Sequence, residues 1–237
     1  MKLVYKTLII LHKHILKAKT LKDTVEGAIK DTILDWGKDT LRQETVITDI
    51  LGSRIQDRLN GLESGDVSFT SMFIPDHGKG SMEKNLGADL AASMKIIYST
   101  FVIKKLFLAQ AKIVTDDKIK RNLLPDLKTQ CENMLSLTPY SIVMLYSSEW
   151  IYVVPAADVR DISTKILKQK SGSINFKEDF YYKRLEQYVE DVYTTWQGDR
   201  VIGSVVETLE DLQSLLELVP SRTGLSIIVS QKEQVQE

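Results

Sequence analysis

Apolar residues in the first sixty positions recur at intervals of three and four. Leu8, Leu11 and Ile15 form one series, and Val25, Ala28, Ile29 and Ile33 continue it. This period places them on one helical face. Trp36-Gly37 reads as the end of that helix, and Asp39 or Thr40 as the cap of a second one carrying Ile47, Ile50, Leu51, Ile55 and Leu59. Glu44 precedes Ile47 by three residues, Leu51 by seven and Ile55 by eleven, so it falls on the buried stripe. A carboxylate there either offsets the helix dipole or aims into a site beyond the helix end.

The period then changes to two. Val67–Ile74 reads as a strand, and Pro75-Asp76-His77-Gly78-Lys79-Gly80-Ser81 as a polar loop. Ala88–Ile97 and Phe101–Val114 read as two further strands, so three successive strands predict a meander. Asp117–Leu137 returns to a helical pattern, with Pro125 marking a break or a first turn. Ser141–Tyr146 and Trp150–Val154 predict a hairpin joined by Ser147-Ser148-Glu149. Helices follow over Val159–Lys168, Phe180–Trp196 and Leu209–Val219, and a last strand over Leu225–Val229. The order predicts an α/β fold, a mixed sheet flanked by helices. Residues 1–38 form an N-terminal helical segment, 39–160 a core, and 161–237 a C-terminal α/β extension packed on it.

Composition narrows this picture only a little. The 237 residues are 43% apolar and 27% charged with a net charge of −1, so no global basic character announces a nucleic-acid binder. A single cysteine, Cys131, excludes a disulfide framework and a four-cysteine zinc site within one chain. The histidines, His12, His14 and His77, are too scattered for a histidine-rich metal site. The apolar run Thr7–Leu11 is shorter than the roughly 7–15 residues of a secretory core. No stretch approaches the ~20 apolar residues of a membrane span. The expected setting is therefore cytoplasmic.

Candidate chemistry concentrates between Ser81 and Lys112. Gln110 and Lys112 lie two apart at the end of a strand and project to one face, with Leu106 and Leu108 along the same row. A lysine ending an apolar strand needs a partner for its charge, and Asp89 at the start of the adjacent strand is the partner expected. Magnesium takes hard oxygen ligands. Asp89 supplies one carboxylate, Gln110 or the following carbonyl a second oxygen, and Glu83 or Glu44 another acidic ligand. Lys112 is then placed to orient an attacking water or to stabilise developing negative charge.

Glu83, Gly87-Ala88-Asp89 and Gln110-Ala111-Lys112 together resemble the signature of the PD-(D/E)XK, or restriction-endonuclease-like, nuclease superfamily. The variant is the Mrr-type one, with glutamine before x-Lys. The resemblance spans about Thr40 to Pro155 and takes in Glu44 on the preceding helix and Gln130 on the following one. It departs from the usual pattern in having Glu83 in a loop rather than a Pro-Asp pair. The resemblance implies a restriction-endonuclease-like sheet and a DNA endonuclease using Mg2+ or Mn2+. It also implies a role in restriction or anti-phage defence, as a homodimer or beside an ATPase or helicase partner. Lys79 and Lys84 flank the region and meet phosphates on this reading.

Two other readings stand beside it. A catalytically degenerate nuclease fold would serve as a binding or scaffolding subunit of a defence complex. An α+β binding module would use Asp89 and Lys112 only as structural charges. Cys131 reads as core, as do the tyrosines of the last third unless they line a subunit interface.

Overall fold

The computed structural model describes residues 2–36, 43–75, 88–98, 101–169, 171–195, 198–199, 208–218 and 221–232. Its centre is an eight-stranded mixed sheet in the order β1-β2-β10-β3-β4-β6-β7-β9. The strands are β1 (Glu63–Ser64), β2 (Val67–Ile74), β3 (Ala88–Tyr98), β4 (Phe101–Ile113), β6 (Ser141–Tyr146), β7 (Ile151–Pro155), β9 (Lys183–Arg184) and β10 (Ser221–Gln231). A separate ladder pairs β5 (Lys118–Ile119) with β8 (Ile174–Asn175).

Six helices accompany them: α1 (Lys2–Trp36), α2 (Glu44–Leu59), α3 (Leu124–Leu137), α4 (Ala156–Leu167), α5 (Leu185–Thr194) and α6 (Leu209–Leu218). Strand alternation divides the core in two. Leu90, Ala92, Phe107, Ala109 and Ala111 point to the face where α1, α2 and α5 supply Leu21, Ile47, Leu51 and Val189. Ala91, Leu106 and Leu108 point to the other, where α3 and α4 supply Leu127, Cys131, Met134 and Val159. Both faces of the sheet are thus covered, which explains the nearly unbroken apolar run of β6, buried along its whole length. Among the described residues, no helix is long and apolar enough to cross a membrane.

The expected meander is interrupted. β2 and β3 are not neighbours, because β10 lies between them, antiparallel to β2 and parallel to β3. The stretch 161–237 therefore supplies both a short edge strand, β9, and a central one, β10. The helix expected from Asp117 starts later, at Leu124, with Pro125 in its first turn. Asp116 and Asp117 have φ of 52° and 60°, and Lys118 N–H donates to the Thr115 carbonyl at 3.0 Å. Two successive left-handed residues make a tight turn and cannot begin a helix. The C-terminal amphipathic helix starts at Leu185 rather than Phe180. Tyr181 before it is 76% exposed, whereas Tyr188 and Tyr193 within it are buried. Trp196 lies outside the described residues.

Lys105 is a charged group inside this core, 1% exposed. Its ammonium donates to the carbonyls of Val192 and Thr195. Those carbonyls close the C-terminal end of α5, where helix carbonyls lack internal partners and a cation is favoured.

Candidate functional site

β3 and β4 run paired from Tyr98↔Phe101 as far as Leu90↔Ala109, and there the ladder between them ends. β4 continues to Ile113 alongside β6, while Ala88 of β3 stays with Ser221 of β10. The two strands fork. Backbone N–H groups on a strand alternate in direction. Those of Ala111 and Ile113 point into the fork, where β3 no longer supplies carbonyls. Two carboxylates do so instead. Asp89 Oδ2 accepts from Ala111 N–H at 2.9 Å, and Glu44 Oε1 accepts from Ile113 N–H at 3.0 Å.

Each carboxylate also holds a side chain of β4. The Gln110 amide donates to Asp89 Oδ2. Lys112 Nζ sits 3.2 Å from Glu44 Oε2, so the ion pair of Lys112 runs to α2, where the sequence pointed to Asp89. Asp89 is 3% exposed and Gln110 1%, whereas the Lys112 and Glu44 side chains keep 13% and 29% of their surface. The fork is therefore buried at Asp89 and open to solvent at Glu44. On its other side, Asp89 is tied to β10, since Thr223 Oγ1 donates to the Asp89 carbonyl at 2.8 Å.

The orientation of the Gln110 amide is fixed by its neighbours. Its nitrogen donates both to Asp89 and to the Ala111 carbonyl, 3.2 Å away. A flipped amide would set Oε1 against both of those oxygens. This leaves Gln110 Oε1 as a buried acceptor with no hydrogen-bond partner among the described residues. Such a group is costly unless something donates to it or binds it.

The remaining sequence candidates fall in three places. Glu83, Lys79, Lys84 and His77 lie outside the described residues. Gln130 is on α3, half-buried, and its amide oxygen lacks a hydrogen-bond partner among the described residues. Cys131, next to it, is buried in the core shared by α3 and β6. Burial pushes its thiol up to about 12, while the nearby Lys112 charge pulls it the other way.

Among the described residues, no group of three or more His, Cys, Asp or Glu side chains is arranged to hold a metal ion. The hard oxygens of the fork are the Asp89 carboxylate, Gln110 Oε1 and, past Lys112, the Glu44 carboxylate.

Two residues with no motif to mark them belong to this region. Tyr146, fully buried at the end of β6, contacts Thr48 of α2 hydroxyl to hydroxyl at 2.7 Å. Burial raises the Tyr146 phenol above its ordinary range, and the charges of Asp89 and Glu44 add to this. No protein-family model, curated protein or solved structure matches this chain. The chemistry of the fork rests on its own atoms.

Proposed function

We propose that the protein is a metal-dependent endonuclease that hydrolyses DNA phosphodiester bonds. One observation carries this reading: the buried Gln110 Oε1, without a hydrogen-bond partner among the described residues, on the side chain that donates to the Asp89 carboxylate, with Lys112 two residues along the same strand. Asp89 and Gln110 would hold Mg2+ or Mn2+, with Glu44 and Glu83 as the acidic ligands nearest in role. Bound there, the cation would make a water more acidic and offset charge on the phosphate. Lys112 donates to the attacking water or to the non-bridging phosphate oxygens, where negative charge grows. Glu44 keeps the Lys112 ammonium in place. Hydrolysis forms a bond from the water oxygen to phosphorus, breaks the bond from phosphorus to one deoxyribose oxygen, and passes the proton given up by the water to that leaving oxygen.

The setting that fits this activity is cytoplasmic restriction or anti-phage defence. A homodimer, or an ATPase or helicase partner, would supply targeting and the second cut. Lys79, Lys84 and Gln130 are the substrate-facing candidates.

A second reading has its own support. Asp89 already pairs with the Gln110 amide and Glu44 with Lys112, as in a purely structural cluster. On that reading the chain is a binding or scaffolding subunit of nuclease fold. Supercoiled plasmid incubated with Mg2+ or Mn2+ separates the two. The parent nicks or linearises it, and Asp89→Ala and Lys112→Ala each lower the rate by at least about a hundredfold. Equal behaviour of all three proteins removes the endonuclease reading.

A further inference from the structure

A line of hydroxyls joins the end of β6 to the first turn of α2. Thr48 Oγ1 donates to the Glu44 carbonyl at 2.8 Å, one turn back along the helix. A threonine hydroxyl has a single proton, so Thr48 is the acceptor in its 2.7 Å contact with Tyr146 and the phenol is the donor. Tyr146 stands opposite Ile113 in the β4–β6 register, and Val114 N–H donates to its carbonyl at 2.9 Å. Ile113 is also the residue whose N–H meets the Glu44 carboxylate.

The start of α2 is thus gripped twice from neighbouring residues of the sheet. Ile113 and Lys112 hold the Glu44 carboxylate, and Tyr146 holds the turn that carries Glu44. The side chain of its N-cap residue, Gln43, makes no capping hydrogen bond among the described residues. Tyr146 is itself immobile, since its ring is completely buried between the sheet and α2.

We infer that Tyr146 is a positioning residue for Glu44: its phenol, acting through Thr48, sets where the Glu44 carboxylate meets Ile113 and Lys112. The catalytic consequence rests on the endonuclease reading; the structural one does not. Full-length variants Tyr146→Phe and Thr48→Val delete the link while keeping the ring or the side-chain shape, and Thr48→Ser retains it.

Amide hydrogen exchange followed by NMR reads the effect locally. Ile113 N–H depends on Glu44, and Ala111 N–H, two residues away, depends on Asp89. In Tyr146→Phe and Thr48→Val, Ile113 exchanges about tenfold faster relative to Ala111, the opening expected on weakening one hydrogen bond. Thr48→Ser keeps the parent ratio. A merely structural hydroxyl would speed both amides together, and that result, or an unchanged ratio, overturns the proposal.

DNA cleavage adds the second readout: the same two variants lower kcat by about tenfold or more with KM little changed. A parent that does not cut DNA, with the exchange ratio still shifted, removes the endonuclease reading and leaves the positioning role standing.

Discussion

Gln110 and Asp89 depend on each other as donor and acceptor in a buried pair. Replacing Gln110 by Glu keeps the shape and removes the donor, leaving two carboxylates face to face. Two such groups cannot both ionise freely without a cation. Gln110→Glu is therefore expected to lose about 2–3 kcal/mol of stability in chelator. Mg2+ or Mn2+ would restore much of it, read as a rise in Tm on adding the metal. A structural cluster without metal affinity would show the loss and no restoration. Asp89, Gln110 and Lys112 were legible in the sequence because a spacing of two on an apolar strand puts polar groups on one face. The pairing of Lys112 with Glu44 was not, since 68 residues separate them and only the docking of α2 decides which acid arrives. Tyr146 and Thr48, 98 residues apart, carry no local signal at all. A tyrosine ending an apolar strand looks like core, and it is core; only its hydroxyl does something else.

The elements around the fork are held by contacts that propensity alone would misjudge. Gly52 lies in the middle of α2, where alanine is normally favoured by about 1 kcal/mol. A Cβ at this position would stand 2.2 Å from the Phe73 ring on β2. The close approach of helix and strand needs the missing side chain. Gly52→Ala is expected to destabilise the protein by about 1–3 kcal/mol, measured by urea unfolding, although helix propensity predicts the opposite sign. The bounds of β3 and β4 and the body of α2 were readable from periodicity, since their apolar sets are long and regular. The turn at Asp116-Asp117 was not, because aspartate accepts the left-handed conformation without announcing it. β10 is longer than its apolar stretch Leu225–Val229 suggested, for Ser221 and Thr223 pair with β3, Gln231 with β2, and Gly224 and Ser230 with both.

Across the whole molecule, several weak acids are buried in their neutral forms. Burial is the leading cause of the raised pKa at Cys131, Tyr146, Tyr188 and Tyr193. In the unfolded chain the thiol ionises near 9.0 and the phenols near 10.0. A raised pKa means that the folded state keeps its proton longer, so this contribution to stability is complete below those values. It is lost as pH climbs toward the folded values, which for Cys131 is about 12. Stability is expected to be level through neutrality and to fall steadily above about pH 9, followed by thermal melts from pH 7 to 11. A flat curve above pH 9 would mean that these groups are reached by water. The covered sheet with helices on both faces was foreseeable from the alternation of element types. The order of its strands was not, because no local window records that β2 and β3 wait for a strand 134 residues beyond Asp89.

That strand order imposes a sequence in time. A growing chain makes β2 and β3 early, with a gap between them that neither can fill, and β10 emerges long after. Until it inserts, β3 has an open edge, and Asp89 lacks the Thr223 hydroxyl that steadies its backbone. Long-range closure of this kind is slow compared with local hairpin and helix formation. The fork therefore matures last. An incomplete chain, whatever else of it has folded, carries the residues of the site without the site.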